Sequence, residues 1–226
     1  MFAKQFFIDK KILVYGLGLS GKSCLKYLSK KNKVEVFDDN KSLRNKKNKN
    51  FFISFNKILK TNFDYIVLSP GINIKKCKLK KYLFKNEKKI ISELDIFYLN
   101  FPKNIKITIT GTNGKSTTCQ MLYNIFKSNK FDVRLAGNIG RPLLNEKNIK
   151  QKTIFIIEAS SYQINYSKFF KTDHAAILNL TVDHLDRHGN INKYAKAKLK
   201  LIFEQDSNTN SYIEKNNSII NKNISK

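Results

Sequence analysis

The stretch Thr110-Gly111-Thr112-Asn113-Gly114-Lys115-Ser116-Thr117 carries the residue types that hold phosphates. Two glycines let a backbone turn so that its N–H groups face an anion, a lysine neutralises β- and γ-phosphate charge, and a serine hydroxyl can ligate Mg2+. The spacing departs from G-x-x-x-x-G-K-S, because Ile109 stands where the first glycine would fall and Gly111 opens a shorter loop. Gly111, Thr112, Asn113, Gly114, Lys115, Ser116 and Thr117 are therefore the candidate ATP contacts. A second pattern, Gly16-Leu17-Gly18-Leu19-Ser20-Gly21, follows the apolar run 12–15, and Asp38 lies about twenty residues further on. Such glycines let a backbone approach a pyrophosphate at a helix start, and the acid can accept from a ribose hydroxyl. The pattern leaves the nucleotide open, and a turn needing tight packing shares it. Ser69-Pro70-Gly71 reads as a loop at the ligand edge of a sheet, and equally as a simple turn.

Downstream residues could complete a metal-assisted phosphoryl site. Glu158 follows the apolar run 154–157, which puts a carboxylate at a strand end where a Mg2+ ligand belongs. Asn179-Leu180-Thr181-Val182-Asp183-His184-Leu185-Asp186-Arg187-His188 gathers two histidines and three carboxyl or carboxamide groups after another strand. Histidines invite a zinc reading, but oxygen ligands beside a phosphate loop favour Mg2+. His174 receives no role. On spacing alone Lys198 is one more solvated lysine among Lys193, Lys196 and Lys200.

These residues need strands and helices to hold them. Runs 12–15, 34–37, 51–55 and 65–68 read as strands, with a helix carrying Cys24, Leu25 and Leu28 between the first two. Asn100-Phe101-Pro102 marks a linker, after which the pattern restarts with strands at 105–109, 133–135, 154–157 and 175–180 and helices from Lys115 and over 193–204. Strands alternating with helices predict an α/β fold with parallel sheets covered on both faces. The expected division is a UDP-binding Rossmann-like domain over 1–99 and an ATP-binding phosphate-loop domain over 103–226 that is incomplete at its C-terminal end. Beyond Asp206 the chain turns polar and no element is expected.

The net charge of +26 suggests nucleic acid, but its distribution does not. There are 23 basic against 8 acidic residues in 1–100 and 20 against 9 in 101–226, so no single arm carries the excess. Only four of the 43 basic residues are arginine, the side chain that reads bases bidentately, while 39 lysines stand beside 27 asparagines. That is a residue bias, and no specific nucleic-acid partner is expected. Cys24, Cys77 and Cys119 fit neither a disulfide framework nor a zinc cluster. No apolar run is long enough for a membrane helix and the N-terminus lacks a signal peptide, so the cytoplasm is the expected compartment.

Taken in order, the two glycine motifs, Ser69-Pro70-Gly71-Ile72, Gly137-Asn138-Ile139-Gly140, Glu158-Ala-Ser-Ser-Tyr-Gln, the Asn179–Asp186 run and Ala197-Lys198-Leu199 resemble the Mur ligase superfamily, amide-bond enzymes of peptidoglycan synthesis. The chain is most similar to the branch that adds D-glutamate to UDP-N-acetylmuramoyl-L-alanine with ATP and two Mg2+ ions. The resemblance implies that Leu19, Ser20, Asp38 and Gly71 contact a uridine nucleotide. It places Asn138 and His184 on substrate or metal, Ser116 and Glu158 on Mg2+, and Lys115 on ATP. It makes Lys198 a lysine that takes up CO2 as a carbamate beside a second metal. Asn40 replaces the basic residue expected two places after Asp38. Superfamily members have a third domain for the incoming amino acid. The 226 residues are expected to be an inactive fragment alone, and the full-length enzyme a monomer. The other readings are a folylpolyglutamate-type ligase and a nicotinamide-dependent oxidoreductase; the latter leaves the second phosphate loop unexplained.

Overall fold

The computed structural model describes residues 6–46 and 48–224. It divides into two compact units, one holding the chain up to Asn100 together with Tyr166–Phe169, the other holding the rest from Phe101 onward.

In the first unit, β1 (Lys11–Tyr15), β2 (Lys33–Phe37), β3 (Tyr65–Leu68) and β4 (Ile90–Ile91) form one sheet in the order β2-β1-β3-β4, every pair parallel. Ile12, Leu13, Val14 and Tyr15 are all fully buried, as a central strand covered on both faces requires, whereas the edge strand β2 alternates. Helices α1 (Leu19–Leu28), α2 (Phe55–Leu59), α3 (Lys80–Lys85) and α4 (Glu93–Asn100) accompany the sheet.

The strand expected over 51–55 is not there. Lys49–Phe51 is a 3-10 turn, Phe52 makes one lone bridge to Val36, and Ser54 caps α2 by accepting from Lys57 N at 3.4 Å. Ile53 is the buried residue of that run, and it packs into the core without extending the ladder. β4, only two residues long, gives no pattern that sequence reading could find.

Asp95 on α4 is fully buried, and both its oxygens are occupied. Oδ2 accepts from Ser92 N at 2.7 Å and Ser92 Oγ at 3.2 Å, and Oδ1 from Lys168 N at 2.8 Å and Phe169 N at 2.6 Å. Burial pushes this carboxyl group upward, and those backbone donors pull it back. Tyr166 adds a hydrogen bond from its hydroxyl to Ile72 O at 2.9 Å. Residues far along the chain are thus fastened into the first unit.

In the second unit β5 (Lys106–Thr110), β6 (Val133–Gly137), β7 (Ile154–Glu158), β8 (His174–Ile177) and β9 (Asn210–Ile213) form an all-parallel sheet in the order β6-β7-β5-β8-β9. Helices α5 (Lys115–Ser128), α6 (Ser161–Tyr166), α7 (Leu185–His188), α8 (Ile191–Phe203) and α9 (Ser218–Ile224) complete it. One apolar layer joins Ile109, Val133, Ile154 and Ile156 to Cys119, Leu122 and Phe126 of α5, and another joins Ile177 and Leu180 to Tyr194, Leu199 and Ile220. The polar tail is therefore structured. β9 is exposed throughout as an edge strand, and α9 contributes the fully buried Ile220.

The glycine turn after β1 is built on close approach. A Cβ on Gly21 would lie 1.8 Å from Gly16 O, a backbone atom that cannot move aside. Gly21→Ala should cost at least ~2–3 kcal/mol, the upper range of overpacking effects, and thermal unfolding of the variant measures it. A melting point equal to the wild type's would show that the turn is not packed this way.

Candidate functional site

β5 ends at Thr110, and the chain turns through Gly111–Gly114 into α5. Gly114, at φ +79°, occupies the left-handed region where a side chain is strained, and it directs the first turn of α5 back toward the strand ends. Asn179, just past β8, fixes the loop. Its Oδ1 accepts from Thr112 N at 3.1 Å and Asn113 N at 2.9 Å, and its Nδ2 donates to Asn113 O at 3.1 Å. Lys115 Nζ donates to Thr112 O at 2.7 Å, and Ser116 and Thr117 are exposed on the first turn of the helix.

The carboxylate of Glu158 lies beside this turn, buried at the end of β7. Its Oε2 accepts from Ser116 Oγ at 2.7 Å and its Oε1 from Asn138 Nδ2 at 2.9 Å. Asn138 is held in turn by its own N–H, which donates to Glu158 O at 2.8 Å. Two residues from separate motifs thus converge on the carboxylate of a third.

Lys198 is not a solvated lysine. It is 2% exposed, and its ammonium donates to Gly111 O at 2.8 Å and Thr110 Oγ1 at 3.1 Å. Tyr194 lies 5.0 Å from it, ring to ammonium, with its hydroxyl 3.1 Å from Thr112 Oγ1. Burial first, and then the nearby charge of Lys115, bring the Lys198 pKa down to about 7, while Asp183 and Glu158 act the other way. Its neighbours Lys193 and Lys196 are exposed, as the amphipathic pattern of α8 requires.

His184 caps α7 in a left-handed conformation, φ +52°, uncommon for a residue with a side chain. Its ring stands 5.1 Å from that of Tyr162 and 6.0 Å from that of Tyr194. Tyr162 also stacks on His188 at 5.2 Å, and the Arg187 guanidinium carbon lies 3.8 Å from the centre of the Tyr162 ring. His184 thus reaches the phosphate loop through Tyr194 and Thr112 and touches none of the Glu158 ligands by a direct hydrogen bond. Among the described residues no three His, Cys, Asp or Glu side chains cluster as a metal centre. The oxygen set is instead a hydroxyl and a carboxylate, donors suited to Mg2+.

In the first unit Asp38 faces the glycine turn, but its oxygens are engaged by backbone: Oδ2 accepts from Leu17 N at 2.6 Å and Oδ1 from Asn40 N at 2.8 Å. Leu19 is 77% exposed at the start of α1 with Ser20 half-buried beside it, and Gly71 is exposed with open space where a Cβ would stand. Ser69 Oγ donates to Gly16 O at 2.7 Å and joins the two loops.

The sequence alone singles out the Asn179 run but not that its amide pins the phosphate loop, and it places Thr110 and Tyr162 within motifs without assigning a site role to either or to Tyr194. An asparagine directly after a strand that neighbours the loop-bearing strand is a signal that could have found the first of these.

Residues 109–226 match the model of the Mur ligase middle domain, and residues 10–92 that of the Mur ligase MurD-like, N-terminal domain. A UDP-N-acetylmuramoylalanine--D-glutamate ligase of Rickettsia bellii is 37% identical over 216 residues, covering 93% of this chain and 47% of that protein. The protein of the same name from Elusimicrobium minutum is 39% identical over 217 residues, 89% of this chain and 47% of its own length. The chain spans about half the length of the curated relatives it matches. Among solved structures, UDP-N-acetylmuramate:L-alanyl-gamma-D-glutamyl-meso-diaminopimelate ligase from Neisseria meningitides superposes with a TM-score of 0.60 at 14% identity, covering 96% of this chain and 75% of that one. UDP-N-acetylmuramate-alanine ligase from Thermotoga maritima follows at 0.52 and 17%, covering 93% and 50%, and both likenesses speak to the fold. Two successive domain models, the longer spanning more than half of the sequence, each cover one of the two glycine turns: this chain belongs to the Mur ligase family.

Proposed function

We propose that this chain supplies the UDP- and ATP-binding parts of a cytoplasmic, monomeric ligase that joins D-glutamate to UDP-N-acetylmuramoyl-L-alanine in peptidoglycan synthesis. The observation that carries this reading is the meeting of Ser116, Asn138 and Glu158 beside a phosphate-type loop in which a buried lysine is held. The names of the relatives support the choice of D-glutamate. Among the described residues no helix is long and apolar enough to cross a membrane.

In the reaction a substrate carboxylate oxygen attacks the γ-phosphorus of ATP, ADP leaves, and the acyl phosphate is opened by the amine of D-glutamate, which loses its proton as phosphate departs. The N–H groups of Gly114 and of the start of α5 receive the phosphates, with Gly111, Thr112, Asn113 and Thr117 lining the loop. Lys115 exchanges Thr112 O for a phosphate oxygen and offsets its charge in the transition state. Ser116 and Glu158 would hold Mg2+, with His184 and a carbamate on Lys198 serving a second ion. Such ions supply charge neutralisation on the transferring group. Asn138 keeps the Glu158 carboxylate in place and His184 orients the acyl group. In the first unit Leu19, Ser20, Asp38 and Gly71 receive the uridine nucleotide.

Carbamate formation needs a free amine, and Lys198 has one above its folded pKa of about 7. With 13C-labelled CO2 at constant dissolved concentration, the carbamate carbon signal should rise between about pH 6 and about pH 8, as protonation of the amine is relieved. It should vanish in Lys198→Ala. A signal that survives this substitution would place the modification elsewhere.

Lys115→Ala should weaken Mg-ATP binding by roughly 10- to 100-fold, the effect of losing a charge-assisted hydrogen bond. The loop itself stays pinned by Asn179, and UDP binding should be unchanged. Calorimetric titration with each nucleotide checks this, and full ATP affinity in the variant would mean that the loop is not the phosphate site.

A further inference from the structure

The sequence holds 27 asparagines and 9 glycines, and at Asn113-Gly114 alone does a glycine follow an asparagine. That pair has a covalent chemistry of its own. The side-chain carbonyl carbon of an asparagine can close a five-membered ring with the backbone nitrogen of the next residue, and a glycine in second place has no Cβ to obstruct the closure.

Both reacting groups are free in the fold. Asn113 and Gly114 are exposed. Asn179 holds Asn113 by its main chain only, accepting from the N–H and donating to the carbonyl, and the Asn113 carboxamide has no hydrogen bond among the described residues. The Gly114 N–H likewise has no acceptor among them, while the Gly114 carbonyl accepts from Thr118 N at 3.0 Å. Other loop asparagines of this unit differ on both counts: Asn104, Asn138 and Asn179 spend their carboxamides on hydrogen bonds, and a bulky Ile or Leu follows each of them.

The ring closes when the Gly114 nitrogen, having lost its proton to hydroxide, attacks Cγ of Asn113. A bond forms between that nitrogen and Cγ, the Cγ–Nδ2 bond breaks, and the departing nitrogen takes a proton from water and leaves as ammonia. A water molecule then opens the succinimide at either carbonyl. One opening yields aspartate; the other yields isoaspartate, in which the main chain runs through the former side chain and is one carbon longer. Negative charge on the attacking nitrogen is favoured by the ammonium of the next residue, Lys115, and by the positive end of α5.

We infer that Asn113 is a site of self-modification, where loss of ammonia converts the phosphate loop into one that rejects ATP, and that bound nucleotide blocks the change by occupying the Gly114 N–H. The protective half of the inference rests on the assignment of the ATP phosphates to this loop. A carboxylate at residue 113 repels phosphate oxygens, and the longer isoaspartyl main chain displaces the N–H groups that follow it.

Ageing of the 226-residue chain at mildly alkaline pH, followed by tryptic mapping, tests it, with a urea-unfolded sample setting the unrestrained rate. Residues 107–115 form one tryptic peptide in which Asn113 is the sole asparagine, so its amide-to-acid mass change and its isoaspartyl methyltransferase labelling read that position alone. Conversion should outpace that at Asn210-Ser211 and Asn217-Ser218, the pairs with the next smallest following residue, and Asn113→Gln, whose ring would have six members, should leave the peptide unchanged. Aged protein should bind Mg-ATP at least roughly 10-fold more weakly in calorimetry, as like charges a few ångströms apart predict. Ageing with Mg-ATP at about 100 times its Kd should slow conversion roughly 100-fold, in proportion to the nucleotide-free fraction. A folded chain whose peptide stays intact while the unfolded sample converts would overturn the inference, because the loop then forbids ring closure. So would converted protein that keeps full ATP affinity. Conversion unslowed by bound Mg-ATP overturns the protective half, whereas fresh chain that binds no Mg-ATP sinks the ATP assignment itself and leaves the modification to stand or fall on the ageing result.

Discussion

Parallel pairing with a fixed register is the constraint on which the second unit's chemistry depends. Ile109 pairs with Glu158, Glu158 with Gly137, and Thr110 with Ile177. Adjacent strands lie ~4.8 Å apart, so loops leaving these positions emerge side by side on one edge. From that edge come the phosphate loop, Asn138, Glu158 and Asn179, within hydrogen-bond reach of one another although separated by up to 67 residues in sequence. A slip of one residue in β7 would turn Glu158 to the other face of the sheet and leave Ser116 and Asn138 without their shared acceptor.

On this frame the site balances buried charges of opposite sign. Glu158 has its oxygens met by a hydroxyl and an amide, and Lys198 has a carbonyl and a threonine hydroxyl to donate to. Neither ion is neutralised by direct contact with the other. Desolvation therefore weighs on the lysine and favours its neutral form, the form able to react with an electrophile such as CO2. The aromatic side chains of Tyr162 and Tyr194 carry the same order outward to His184, whose left-handed backbone is held by packing on both rings.

Much of this was legible in the sequence because strand, glycine turn and helix follow one another locally. The runs that became β1, β3 and β7 are mostly apolar, as buried parallel strands are, β5 alternates isoleucine with lysine and threonine, and the Gly-Lys-Ser turn announces its own geometry. The environment of Lys198 was not legible. Four lysines within eight residues of α8 look alike in sequence, and only the pairing of β5 with β8, over which α8 lies, decides which of them is buried. The run 51–55 misled for the complementary reason: apolar residues can fill a layer from a turn as well as from a strand, and here one bridge at Phe52 is all the ladder that forms. β9 and α9 were hidden because an exposed edge strand has no apolar face and a seven-residue helix needs only one or two buried side chains.

The Asp95 carboxylate has a consequence for the order in which the molecule is made. Its Oδ1 is filled by the N–H groups of Lys168 and Phe169, and these residues follow β5, α5, β6 and β7 in the chain. A ribosome extends the polypeptide from its N-terminus, so most of the second sheet is synthesised before the first unit receives its last hydrogen-bond donors. The two units are finished in an interleaved sequence, and the nascent first unit carries an incompletely solvated acid until that short segment emerges.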